Sequence, residues 1–414
     1  MKTKTCLCLC LCLVFAITAP AQSLTLLWES STFRGTSAFQ NSAQSVDALR
    51  NRILVGEILE STTAVVKAFN RVGHLIWTDE LLGGWVQVKV VGNLAIAVVE
   101  QITPPPNGIG RNTFSLVLRA YNLRTGEPLW TARTSLDSPQ RVLVRNGRIA
   151  VVGYSQSTDP LTGVILVHDL ATGAPLWRVD DIQPYVIPLR DTVFWDLDEA
   201  GHNLIVVGTI GPGVARDLHI RSYRFTDGHL RWEKIVPSTF AVTVRVFDRI
   251  AYITGLSGTS GAGYLAAFAI GDGTPVWELI TPNEFFTSLA VTASQVITSG
   301  PFSIRAYDTT THALLWSRLT PFGGPTEEFT FRVLPLGNSL FLTISLLSPS
   351  PIGPPSPSQT VLRVLDNSGN TLTEVAGLFS IGVRDAVLLN DRLVVVGSST
   401  AGALVRAYEI GIVP

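Results

Sequence analysis

Three sets of side chains in this sequence have the types and spacing that chemistry requires. Lys89, Arg141, Arg245, Arg332 and Arg384 each fall within a short, largely apolar run, and Arg190 stands just ahead of another. Six basic groups brought to one place would attract an anionic ligand or peptide segment. Asp196, Asp198 and Glu199 crowd together ahead of Gly201. Carboxylates this close to a glycine can hold Ca²⁺, although the third aspartate and distal glutamate of an EF-hand loop are missing. The third set is His74, His168, His202, His219, His229 and His312. A metal site needs three or four ligands at one point, so what these residues do depends on the elements that carry them.

Those elements are built on one recurring phrase. It runs from Ala120 to Trp130 and returns as Val167 to Trp177, Ser222 to Trp232, Ala267 to Trp277 and Ala306 to Trp316. Shorter echoes end at Trp77 and Thr373. The phrase opens on alternating Tyr, Val, Leu and Phe, which reads as a strand. Asn122 or Asp169 closes that strand, and Thr-Gly makes the turn. Gly126, Gly173, Gly228 and Gly273 stand where a positive φ is needed. Pro128, Pro175 and Pro275 open the next strand, which must lie at a sheet edge because proline cannot donate to a ladder. A tryptophan repeated at one position of that edge strand is expected to be buried against the neighbouring sheet.

The anchors are Trp28, Trp77, Trp130, Trp177, Trp232, Trp277, Trp316 and Thr373, spaced 39 to 57 residues apart. A period near fifty with several short strands per unit signals a β-propeller. The sequence predicts an all-β, eight-bladed propeller of four-stranded antiparallel blades. After Thr373 only three strands remain, near Val383–Leu389, Arg392–Gly397 and Ala403–Glu409. Leu24–Glu29, carrying Trp28, is an orphan edge strand at the other end. Pairing the two closes the ring and removes its open seam. Leaving Trp28 outside would give seven blades instead.

In this frame His74, His229 and His312 occupy turns of separate blades, His168 and His219 lie on third strands, and His202 lies in a hairpin. They do not converge, and no metal site is expected from them. The basic residues are all on, or just before, first strands, which line the central funnel of a propeller. Asp47 and Asp385 are acidic exceptions there. Antiparallel blades put second-to-third and fourth-to-first connections on one face. Those connections are long at Thr103–Asn112, Gln156–Gly163, Thr209–Arg216, Ser257–Gly263, Leu347–Ser358 and Asp180–Asp191, so recognition is assigned to that face.

Residues 1–21 read as a signal peptide, and 22–414 as a single propeller domain. Lys2 and Lys4 precede an apolar run from Cys6 to Ile17 and a small-residue cleavage site at Ala19-Pro20-Ala21. All four cysteines lie in that run, and no lipid anchor is predicted. The mature chain is expected to be exported, to the periplasm or beyond, and to fold without disulfides. Losing Lys2 and Lys4 leaves 29 of 31 basic side chains against 32 acidic, a net charge of −3. That balance argues against nucleic-acid binding. No later run is long enough to span a bilayer as a helix. A monomer is expected.

The phrase resembles the repeat of the PQQ-like β-propeller family, in which Ala-x-Asp-x-x-Thr-Gly-x-x-x-Trp recurs blade by blade. Val167 to Trp177 departs from it only at the opening residue, Ala120 to Trp130 has Asn for Asp, and Thr373 replaces the tryptophan. The resemblance implies the fold across the whole mature chain. It leaves activity open, because the family holds quinoprotein dehydrogenases as well as non-enzymatic scaffolds such as the propeller of the outer-membrane β-barrel assembly machinery. The dehydrogenases' calcium and quinone ligands find no matching residues here, so neither PQQ nor Ca²⁺ is expected as a cofactor and no residue is assigned a catalytic role. The expectation is a scaffold that binds a protein or another ligand through its long-loop face and funnel. The alternatives are a small PQQ-dependent oxidoreductase and a glycan-binding envelope protein using Trp85, Tyr185, Phe285 and Phe322.

Overall fold

The computed structural model describes residues 22–35, 40–103, 105, 113–156, 161–181, 191–211, 216–258, 261–320, 326–336, 339–349, 359–377, 382–400 and 402–412. All regular structure in them is strand, arranged as eight four-stranded antiparallel sheets. Blades 1 to 7 span residues 42–82, 85–134, 138–181, 191–236, 239–281, 288–319 and 326–376. Blade 3 shows the pattern: Ser138–Arg145 innermost, then Arg148–Ser155, Thr162–Asp169 and, outermost, Pro175–Asp181. Blade 8 takes three strands from 382–412 and its outer strand, Gln22–Thr32, from the other end of the chain. Gln22 pairs with Ile412 and Thr32 with Ala403, so the ring is fastened where the sequence predicts. The signal segment and the four cysteines lie outside the described residues.

The core is divided between the blades. Each second and third strand is buried on both faces, as in Arg148–Ser155 and Thr162–Asp169, because it is covered by a neighbouring blade on each side. Valine, isoleucine and alanine from adjoining sheets meet in apolar layers, for example Leu54, Val66 and Ala68 of blade 1 against Val86, Val88 and Ala97 of blade 2.

The repeated phrase is an inter-blade clamp. In six cases a tryptophan lies against the turn glycine of the next blade: Trp28 on Gly73, Trp77 on Gly126, Trp130 on Gly173, Trp177 on Gly228, Trp232 on Gly273 and Trp316 on Gly369. A Cβ on Gly228, whose φ is +73°, would come within 2.7 Å of the Trp177 ring. The glycine is therefore needed twice, for its backbone conformation and for the space above it. In five of the six, all but Trp316, the indole N–H then donates to a carbonyl of that next blade, from Trp77 to Leu123 at 3.0 Å and from Trp232 to Ile270 at 2.7 Å. A bulge just before each tryptophan aims it. Ala120 pairs with Trp130 and Tyr121 with Pro128, so Leu129 is skipped and stands 51% exposed.

Two blades depart from this rule for physical reasons. In blade 6 His312 stands in the glycine's place at φ +59°, and its ring stacks on Trp277 at 4.8 Å and 5°. Blade 7 carries Thr373 for tryptophan. Its clamp would close on the turn between the third and fourth strands of blade 8. Those strands come from opposite ends of the described chain, so no such turn joins them.

Candidate functional site: the central channel

The innermost strands carry six bulges, at Gln44, Gln140, Trp195, Val242, Phe331 and Arg384. An innermost strand has no further strand to satisfy its outward N–H groups, and a buried unpaired N–H costs about 1–3 kcal/mol. In blades 1, 4 and 8 the residue after the bulge, and in blades 2 and 6 its counterpart, solves this by reaching to the next blade. Asp385 accepts the N–H of Val46 at 3.1 Å, Ser45 that of Val88 at 3.3 Å and Gln87 that of Val142 at 2.9 Å. Asp196 accepts from Val244 at 3.2 Å and Ser288 from Val333 at 3.1 Å. Ion pairs join blades 3 and 4, Arg141 to Asp196 at 3.3 Å, and blades 7 and 8, Arg332 to Asp385 at 2.6 Å. Seven of the eight blade junctions are bridged in this one layer among the described residues.

A second layer lies two residues further along, towards the tight-turn face. Here Asp47 accepts the N–H of Val90 at 2.9 Å, and Asp198 that of Val246 at 2.8 Å. Arg245 reaches up from this layer to Asp196 at 2.8 Å, and Lys89 lies beside it in the same layer.

The channel thus gathers Lys89, Arg141, Arg245 and Arg332, and it gathers Asp47, Asp196, Asp198 and Asp385 with them. The basic lining expected from the first strands is interleaved with carboxylates. Arg384 is the bulged residue of its strand; it is exposed and stands apart from the pairs. Arg190 lies outside the described residues.

The charges perturb one another. Burial pushes Asp196 and Asp385 up, but neighbouring cations outweigh it and hold both below the ordinary carboxyl range; Arg245 and Arg141 do so for Asp196, Arg332 and Lys89 for Asp385. Burial raises Asp47 and Asp198 despite their hydrogen bonds. Burial lowers Lys89, with Asp47 opposing. Asp196 supports the charge on Arg141, yet burial and the like charges of Arg245 and Arg332 leave it lowered.

The carboxylates near Gly201 do not form a calcium cradle. Asp196 is shared between two guanidinium groups and Thr243, and Asp198 is committed to the backbone. Glu199 leaves the channel to accept from Asn146 of blade 3 at 2.6 Å. No three metal-ligating side chains converge among the described residues. The histidines stay dispersed. His168 contacts the Gly173 carbonyl at 3.0 Å, and buried His219 sits between Asp181 and Glu233 beside Arg221.

Sequence reasoning missed two groups. Ser45, Gln87 and Ser288 are too ordinary to stand out, and only the bulge register reveals them. The third strands also carry an Arg-x-Tyr pair that reaches the neighbouring outer strand: Arg119 and Tyr121 both meet Asp79, at 3.0 and 2.8 Å, and Arg221 meets Asp181 at 2.9 Å. Recurrence of Arg-x-Tyr at Arg119, Arg221, Arg305 and Arg406 was the available signal.

Comparison with known proteins agrees with this geometry. A family model described as outer membrane protein assembly factor BamB matches residues 62–255, from blade 1 into blade 5. Over that stretch the blades match as PQQ-like propeller repeats. BamB from Moraxella catarrhalis superposes with a TM-score of 0.58 at 15% identity, covering 94% of this chain and all of that one. The computationally designed Ika8 protein reaches 0.63 at 13% identity, over 93% of this chain and all of its own. The C-terminal WD40 domain of Sif2 reaches 0.57 at 11% identity, over 94% and 98%. At such identities the likeness is one of fold. No curated protein matches the chain. The repeated phrase accounts for the clamp, which the sequence carries blade by blade.

Proposed function

We propose that this chain is an exported, non-catalytic scaffold that binds a protein through the face bearing its long connections. The observation that carries the reading is the asymmetry between the two faces. On one, the innermost strands turn through two residues, as at 50–51, 92–93, 146–147, 201–202 and 248–249. On the other, connections run through 104–112, 182–190 and 350–358. A ring bridged at nearly every junction holds those connections on a rigid frame, which is how binding faces are commonly built. The likeness to a protein whose description is that of an assembly factor supports a protein partner. Export rests on the leader-like residues 1–21. No helix among the described residues is long and apolar enough to cross a membrane.

The test is capture from a cell-envelope extract on immobilised protein. Shortening 104–112 and 350–358 to two-residue turns should abolish capture of the partner while the ring stays folded. Equal capture by the shortened form overturns the assignment of the face. Addition of PQQ and Ca²⁺, followed by the visible spectrum and dye-linked turnover, addresses catalysis; saturable quinone binding with turnover overturns the non-catalytic reading. For a glycan partner, Tyr185 and Phe322 lie outside the described residues, and Trp85 packs half-buried against the layer between blades 2 and 3.

A further inference from the structure

Near the tight-turn end of the channel, opposite the proposed protein-binding face, lies a pocket of about 230 Å³ lined by Lys89, Arg141, Arg145, Asp198 and Arg245. Its charges are unequally committed. Asp198 spends its oxygens on the N–H groups of Val246 and Glu199, and Asp196, above it, is divided between Arg141 and Arg245. Asp47, the carboxylate that most attracts Lys89, accepts instead from Val90 and Ala48. The Lys89 ammonium makes no hydrogen bond or salt bridge among the described residues, although it lines the pocket. Arg141 meets Asp196 through its Nε at 3.3 Å, and its guanidinium makes no hydrogen bond among the described residues. Arg145, drawn towards Glu199, is exposed at the mouth. Three unused ammonium donors and a planar guanidinium converge on this one space. That arrangement suits a tetrahedral oxyanion, which accepts from a point charge and from a fork together.

We infer that this pocket is a binding site for phosphate or a phosphate monoester, with Lys89 as its central ligand and Arg141 and Arg245 beside it. The inference is independent of the protein partner, since it uses the other end of the channel. Burial disfavours the bare ammonium, so a bound dianion offsets a cost the empty pocket carries.

The test is calorimetric titration of the full ring with inorganic phosphate and with glycerol 3-phosphate, followed by the same titrations on Lys89→Met, Lys89→Arg and a surface control, Lys234→Met. The wild type and Lys234→Met should take up one anion per chain, and either anion should raise the melting temperature. Lys89→Met should bind about tenfold to a hundredfold more weakly, the loss expected for a charged hydrogen bond, and should lose the phosphate-dependent rise in melting temperature. Lys89→Arg should retain part of the affinity. Because Lys89 makes no hydrogen bond or salt bridge among the described residues, the methionine variant should keep a single cooperative melting transition without phosphate, and this confirms folding. Saturable binding that is unchanged in Lys89→Met overturns the assignment, as does the absence of binding by the wild type at low-millimolar anion.

Discussion

At the scale of single residues, the channel shows how a buried charge can be structural. Asp196 of blade 4 accepts from a backbone N–H, a hydroxyl and two guanidinium groups drawn from the two flanking blades. Removing it strands two half-buried cations and leaves a buried N–H unpaired. Asp196→Ala should destabilise the ring by about 3–5 kcal/mol, read as a shift in the urea midpoint, whereas Asp196→Asn should lose less because the amide oxygen can still accept. Glu100 offers a separate signature. Burial, with repulsion from Asp137 added, pushes its pKa from 4.5 up to about 7. Between those values the folded chain holds a proton that the unfolded chain has released. Stability should therefore fall as pH rises through that window, and Glu100→Gln should remove the slope. Denaturation midpoints of both forms across that range check this. None of these environments was legible from composition. The sequence placed Lys89, Arg141, Arg245 and Arg332 on innermost strands, but their partners stand on other blades, 40 or more positions away.

Elements were far more legible, because each blade repeats the same solution. The turn glycine, the edge proline and the tryptophan are local signals that recur, and every one of them returns in the structure at the position its spacing implies. What the sequence could not show is the contact between the glycine and the tryptophan, since it joins successive units. His312 tests the energetics of that contact. Its φ of +59° is strained for a residue with a side chain, and the stack on Trp277 offsets the strain. His312→Ala keeps the strain and loses the stack, so it should cost about 1–2 kcal/mol. His312→Gly loses both and should melt close to the wild type. Comparing the two variants separates packing from backbone conformation.

At the scale of the whole molecule, the ring depends on one strand from the front of the chain. Gln22–Thr32 completes blade 8, and its Trp28 clamps onto Gly73 of blade 1. A chain lacking residues 22–32 should lose the cooperativity of unfolding, with proteolysis beginning in 402–412, whose outer partner is gone. Adding a peptide of the same eleven residues should restore protection, and failure of both effects would mean that the ring holds without its fastening. Eight blades rather than seven were readable because the two incomplete ends summed to one blade. Charge balance in the funnel was not, because closure sets which innermost strands face one another.

The missing tryptophan at Thr373 bears on how the molecule is made. Gln22–Thr32 finds its sheet partner in 402–412, nearly four hundred positions along. Synthesis runs from the former to the latter, so an edge waits unpaired and the circle stays open until 402–412 has emerged. Closure is therefore a late event for this ring, and the other seven sheets can form before it.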